Sequence, residues 1–380
     1  MLKKTFAATC ILLFVSWFSP TQFAAAQWTE DGNGNYSVEK GAIVKTDFKT
    51  KGKETIVPAA WLIPQGTDTP LNVRSFAFSK DFVLIFTNTR RVWRYDTRGD
   101  YWYLNLKTRE LKRLGQSLPE ASLMFAKVSP DGTKAAYVSE NNLYVEDLKK
   151  GQVKQLTFGT GKLISGTFDW AYEEEFDCRD GFRWSPDSKT IAFWEIDANT
   201  IRDFYMINTT DSIYSYTIPV EYPKVGETPS ACRVGVVNVA DGKTVWMNVP
   251  GDSRQHYIPR MDWAENSKEL ILQQLNRKQN HSKLYYANAK TGEAKVFYEE
   301  KDEAWVDVRS SWAGSQGGWR WLKGNQDFLW ISEKDGWNHI FRVSRDGTRE
   351  TLVTKGALDV ISPLAVDETN GFVCYHASPG

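Results

Sequence analysis

The chain has 380 residues, enough for two average domains or one large all-β unit. Its 47 Lys and Arg balance 47 Asp and Glu, which excludes a basic field for nucleic acid and an acidic tail. Charged residues at 25% and hydrophobics at 41% exclude a disordered chain, and 14% aromatics point to half-buried, flat sites of the kind sheet faces supply.

The N-terminus carries Lys3 and Lys4, an apolar run from Phe6 to Phe18, then Ala24-Ala-Ala26. This is the pattern of a secretory signal peptide, so residues 1–26 are expected to be a leader and the protein to be exported to the periplasm or beyond. The apolar run falls short of the roughly 20 residues a membrane-spanning helix needs. Cleavage after Ala26 leaves Gln27 first, with 45 basic against 47 acidic residues. Cys178, Cys232 and Cys374 then remain; an oxidising compartment permits one disulfide, whose pairing the sequence leaves open. No zinc-like spacing links these cysteines with the four histidines, so no metal and no cofactor are expected.

Asp31, Asn33 and Asn35 mimic the start of a calcium loop, but Tyr36 stands where glycine is required and Ala42 where the bidentate glutamate belongs. A turn is the expected outcome. Tyr36 to Val57 then fits a first, loose group of strands, and Ser75 to Leu84 leads into Asp100-Tyr-Trp-Tyr-Leu104. From Phe125 to Ser139 the chain reads strand, tight turn, strand, around Ser129-Pro-Asp-Gly132, where proline presets φ and glycine accepts a positive one. Asn142–Asp147 and Gln152–Thr157 complete four strands.

The same sentence returns at Phe182–Trp194, at Met261–Leu272 and at Trp319–Trp330, each followed by further strand signals. Corresponding turns fall near 79, 129, 185, 264 and 323. Repeats of four strands at this spacing are the signature of β-propeller blades, whereas a two-sheet sandwich would show less self-similarity. The expected fold is therefore all-β, a propeller of four-stranded blades. The long 185-to-264 interval is expected to hold an insertion or a degenerate blade around Thr209 to Val249.

Most local motifs admit bland readings. Ala313-Gly-Ser-Gln-Gly317 approximates a nucleophile elbow, but a strand and turn follow it instead of a helix, so Ser315 is not expected to be a nucleophile. Sequons at Asn35, Asn208 and Asn280 suggest exposed loops.

One segment resists: Asp169-Trp-Ala-Tyr-Glu-Glu-Glu-Phe176. Carboxylates crowded beside aromatics repel one another and lose water, which a bound cation relieves. A ligand ammonium would supply that cation and gain charge-assisted hydrogen bonds from two carboxylates at once.

This segment resembles the double-glutamate motif of the dipeptidyl peptidase IV family of secreted serine exopeptidases. The similarity continues through Arg91-Val-Trp-Arg94, Tyr222-Pro-Lys-Val-Gly-Glu227, Tyr257-Ile-Pro-Arg-Met261, Leu275-Asn-Arg277, Ser332-Glu-Lys-Asp-Gly336 and His339-Ile340, covering essentially residues 28 to 380. The resemblance implies an eight-bladed propeller capping an α/β-hydrolase domain. It also implies that Glu174 and Glu175 hold the free N-terminal ammonium of a peptide, and that Arg94 contacts the second residue's carbonyl and steadies the glutamates. Anchoring the ammonium at a fixed distance from the nucleophile would make the enzyme a ruler that releases dipeptides, with Pro or Ala preferred at the second position. No Gly-x-Ser-x-Gly occurs in the sequence. Residues 27–380 are therefore expected to be an incomplete N-terminal propeller, inactive by itself, whose partners are peptides with free N-termini and the hydrolase domain of the full-length protein. A second copy of the chain is a further candidate partner. The alternative is a non-catalytic propeller that binds peptide N-termini or a protein.

Overall fold

The computed structural model describes residues 26–29, 31–309, 312 and 317–379; residues 1–25 of the expected leader and Ser315 thus lie outside the described residues. The chain divides into two units, one running up to Gln116 and including Val366–Val373, the other formed by Ser117–Ala365 and the residues from Cys374 onward.

The first unit holds two antiparallel four-stranded meanders. Sheet 1 consists of Ala26–Trp28, Gly34–Glu39, Ala42–Asp47 and Lys53–Val57, and sheet 2 of Ser75–Ser79, Phe82–Val92, Tyr95–Asn105 and Leu111–Arg113. Alternating residues of the two sheets, among them Ile43, Val57, Phe76, Val83, Ile85 and Leu104, form one buried cluster, as period-two patterning requires. Asp31 and Asn33 form a turn, with the Asn33 N–H donating to the Asp31 carboxylate at 3.0 Å.

The second unit repeats the plan. Sheet 3 is Met124–Val128, Lys134–Ser139, Asn142–Asp147 and Val153–Gln155. Sheet 4 is built on Phe182–Trp184, Thr190–Asp197, Ala231–Asn238 and Thr244–Trp246, with Leu163–Ser165 added as a fifth strand beside the second. Sheet 5 is His256–Trp263, Glu269–Asn276, His281–Asn288 and Ala294–Lys301. Sheet 6 is Trp319–Trp321, Asp327–Ser332, His339–Ser344 and Glu350–Leu352. Leu358–Asp367 and Phe372–Pro379 pair as a final hairpin.

Alternation along single strands explains how these sheets pack in series. In Thr190–Asp197, Ile191 and Phe193 join a cluster with Val138 and Leu143 of sheet 3. Ala192 and Trp194 join another with Met261 and Leu272 of sheet 5. In Glu269–Asn276, Ile271 turns the other way, to Trp319 and Phe328 of sheet 6. Strands buried on both faces consume aromatic side chains, and their polar tips find carbonyls on the neighbouring sheet. The Trp184 indole donates to Lys127 O at 3.2 Å, Trp263 to Arg183 O at 3.2 Å, and Trp194 to Ile258 O at 2.7 Å.

The turns follow the sequence reading. Gly132 adopts φ 78° and closes a bond to Ser129 O at 2.8 Å. The equivalent Ser188 takes φ 63° with its N–H on Ser185 O at 2.9 Å. Two expectations need correction. The long interval is not degenerate from Thr209 to Val249, because Ala231–Asn238 and Thr244–Trp246 are sheet 4's own strands. The true insertion is a separate hairpin, Asp203–Asn208 with Tyr216–Glu221. The sequon at Asn35, too, is not a loop but lies within a strand; Asn208 ends its strand and leads into exposed Thr209 and Thr210, Asn280 lies in a connection between strands, and all three asparagines are half-buried.

Candidate functional site

Sheet 4 is entered through an excursion that leaves after Ser165 and returns at Phe182. Its two ends cross at glycines. Gly181 donates to Gly166 O at 3.0 Å, Gly166 to Trp194 O at 2.9 Å, and Trp194 to Gly181 O at 3.1 Å. A Cβ on Gly181 would meet the backbone of Gly166 and Thr167 at 2.6–2.8 Å, so only glycine permits this approach.

Between these ends lies helix α1, Trp170–Phe176. Asp169 caps it, its carboxylate accepting from Tyr172 N–H at 3.0 Å and from the Ser230 hydroxyl at 2.5 Å. The helix closes with Asp177 in the left-handed region, φ 54°, and with Cys178 N–H on Tyr172 O at 3.2 Å. Tyr172 and Phe176, four residues apart, are the buried face. Their rings lie 5.9 and 5.0 Å from that of Tyr257, and the Tyr172 hydroxyl accepts from Ile258 N–H at 3.2 Å. The Arg260 guanidinium donates to Phe176 O at 2.7 Å and to Cys178 Sγ at 3.2 Å, fixing the helix's C-terminal end to sheet 5. Trp170 packs on Tyr222 at 4.3 Å, just beyond the inserted hairpin.

With one face so anchored, the other must project. Glu174 and Glu175 are adjacent and exposed, whereas Glu173 is half-buried. The crowded, dehydrated carboxylates expected from the sequence are therefore not found at this pair, since both keep access to water. Burial pushes the Tyr257 phenol up, Arg277 opposes that shift, and the negative charge of Glu175 adds to it, which places Glu175 in the electrostatic field of this aromatic wall. The Arg277 guanidinium lies 5.7 Å from the Tyr257 ring. An exposed acidic pair, with Glu175 close enough to Tyr257 to act on it electrostatically, offers charge for an ammonium.

Burial pushes the Cys178 thiol to about 11 and that of Cys232 to about 12, and both are free thiols in the packed core behind the helix. Neither has thiolate character for nucleophilic chemistry. Among the described residues, no three His, Cys, Asp or Glu are grouped so as to hold a metal ion.

Arg94 belongs to the first unit. It occupies the two-residue tip, Trp93-Arg94, of a hairpin that outruns sheet 2: Ser75–Ser79 pairs only with Phe82 to Phe86, while Arg90 opposes Arg98 and Val92 opposes Tyr95. Trp93 is in the left-handed region, φ 52°, and both tip residues are exposed. The hairpin's end is tied by Asp96, which pairs with Arg74 at 3.1 Å and Arg91 at 3.8 Å.

Serial four-stranded meanders packed face to face define a β-propeller, and the projecting acidic helix is an elaboration of one blade. Residues 77–380 match the family model for the dipeptidyl peptidase IV N-terminal region, and the chain belongs to this family. It is 26% identical to inactive dipeptidyl peptidase 10 of Rattus norvegicus over 361 residues, 90% of this chain and 44% of that protein. It is 27% identical to a probable dipeptidyl peptidase 4 of Emericella nidulans over 375 residues, 94% of this chain and 47% of that one. The crystal structure of Porphyromonas gingivalis dipeptidyl peptidase 4 superposes with a TM-score of 0.81 at 26% identity, covering 96% of this chain and 50% of that one. The chain thus spans about half the length of the relatives it matches.

Proposed function

We propose that this propeller is the substrate-anchoring part of an exported serine dipeptidyl peptidase, and that Glu174 and Glu175 together bind the free N-terminal ammonium of the peptide. The observation that carries this reading is the construction of α1: a single short helix, fastened at both ends, that spends one face on the core and presents two neighbouring carboxylates on the other. An ammonium has three donors, and two carboxylates accept from it without further rearrangement. Arg94, on its hairpin tip, would take the carbonyl of the second residue, as a guanidinium suits an oxygen acceptor. Hydrolysis after the second residue, X-Pro or X-Ala, would fall to an α/β-hydrolase domain of the full-length protein.

The test is kinetic and uses the full-length protein with an X-Pro chromogenic substrate. Each charge-assisted hydrogen bond contributes about 1.5–3 kcal/mol. Glu174→Ala and Glu175→Ala should therefore each lower kcat/KM by about ten- to a hundredfold, with unchanged melting temperatures. Undiminished activity in both variants would refute the clamp. One of the relatives is named as inactive, so a full-length protein that binds peptide N-termini without cleaving them would favour the second reading, a non-catalytic binding propeller.

The inserted hairpin supports a further part of the proposal, association with a second copy of the chain. Tyr205 and Ile207 share one face of Asp203–Asn208 and are 62% and 71% exposed; Ile213 and Tyr214 at the tip are 98% and 86% exposed. An apolar arm of this kind needs a covering surface. Tyr205→Ser with Ile207→Ser should convert a dimer to a monomer in sedimentation, and an unchanged dimer would show that another surface carries the association.

A further inference from the structure

Helix α1 is suspended from two sheets. Its first end is pinned to the chain entering Ala231–Asn238 of sheet 4, where the Asp169 carboxylate accepts from the Ser230 hydroxyl; its last end is held by Arg260 of sheet 5. The two attachments lie at unequal distances from the acidic pair. Asp169 precedes Glu174 by more than a helical turn, whereas Phe176, whose carbonyl Arg260 holds, directly follows Glu175. The last turn needs such a hold. Asp177 and Cys178 both return their N–H groups to Tyr172 O, where the helix closes, and the Phe176 carbonyl beyond it is taken by Arg260 at 2.7 Å.

Arg260 is built to hold position. It is only 4% exposed, and a buried guanidinium is costly unless its donors are met. Here the acceptors are three carbonyls and a thiol: Nη1 donates to Pro259 O at 2.7 Å and to Cys178 Sγ at 3.2 Å, Nη2 to Phe176 O, and Nε to Arg309 O. Pro259 lies on Arg260's own strand and Arg309 in the connection that leaves sheet 5, so these two bonds fix the guanidinium plane and aim Nη2 at the helix. A planar fork held in this way carries the position of sheet 5 to the end of α1, and its charge complements the negative end of the helix. An aliphatic side chain would fill the same space but leave the Phe176 carbonyl without its buried donor.

We infer that Arg260 is a positioning residue for ammonium recognition: by holding Phe176 O it sets the angle at which Glu174 and Glu175 are presented. It acts through the helix and not on the ligand, and the assignment rests on the proposal that this pair binds the ammonium. The test uses the full-length protein with Gly-Pro-p-nitroanilide and its N-acetylated counterpart. Arg260→Met should raise KM for the free amine by about tenfold with kcat within about twofold of the parent, because binding common to ground and transition states is lost. The acetylated substrate, which the pair does not hold, should change by less than about twofold, so the free-to-acetylated ratio of kcat/KM falls about tenfold. Arg260→Lys keeps the charge but reaches fewer acceptors, and its ratio should fall about threefold. That variant also carries the test if Arg260→Met does not fold. A role in general stability would slow both substrates alike, so a parental ratio in the folded Arg260 variants overturns the assignment. Glu174→Ala/Glu175→Ala separates the two readings. A ratio that collapses in this double variant but survives at Arg260 sinks the positioning role alone, whereas a ratio that survives in the double variant sinks both.

Discussion

Sheets 3 and 4 begin from the same instructions and end with different roles. Sheet 3 runs through four strands on minimal turns: Ser129 to Gly132, then Glu140-Asn141 with φ 46° and 60°, then Asp147 to Gly151. Sheet 4 keeps the first of these turns at Ser185 to Ser188 and the pairing of Thr190–Asp197 with Ala231–Asn238. Besides its added strand Leu163–Ser165, it departs at the excursion carrying α1 before its first strand and at the hairpin inserted between its second and third. Both departures present side chains that the sheet itself does not need. The comparison teaches that the repeat supplies a frame, and that the side chains proposed to bind substrate and a second copy sit where the repeat is interrupted and then rejoined by specific contacts.

If that is so, breaking the points of rejoining should cost more than altering what is displayed. Gly181→Ala should have the largest effect, because the added Cβ meets the Gly166–Thr167 peptide at 2.6–2.8 Å, and backbone cannot swing aside as a side chain can. A loss of about 3 kcal/mol in denaturant unfolding is expected, in the range of strained core substitutions. Asp169→Ala comes next. It removes the cap of α1 and the partner of the Ser230 hydroxyl, so a loss of about 2 kcal/mol is expected, with a lower kcat/KM as the helix loses its register. The apolar arm lies at the other end of the scale: Tyr205→Ser with Ile207→Ser should change monomer stability by no more than about 0.5 kcal/mol, as for exposed positions generally. A reversed order, with the arm costing more than the glycine crossing, would break the comparison.

The repeat was legible because its turns demand particular residues. Pro130 and Gly132, or Ser185 with Ser188, punctuate strands whose two-sided burial then follows from alternation. The helix was not legible as a helix. Seven residues give too little periodicity, although Asp169 as cap and Tyr172 with Phe176 on one face were the available signal. The aromatic–acidic composition drew attention to these carboxylates through an expected crowding and dehydration that the structure does not bear out, since Glu174 and Glu175 are exposed and only Glu173 is half-buried. The insertion was misplaced because Pro223, Gly226 and Pro229 interrupt the run into Ala231–Asn238 and make a regular strand look like part of a loop.

The central claim, that the Glu174–Glu175 pair recognises a free N-terminal ammonium, is tested most directly by selectivity rather than by activity. The measurement is the ratio of kcat/KM for an X-Pro substrate with a free amino terminus to that for its N-acetylated counterpart, in the full-length protein and in the Glu174→Ala/Glu175→Ala variant. The account predicts a ratio of at least about a hundred in the parent protein, collapsing towards one in the double variant. A double variant that remains slower on both substrates yet keeps the parent's ratio would contradict it.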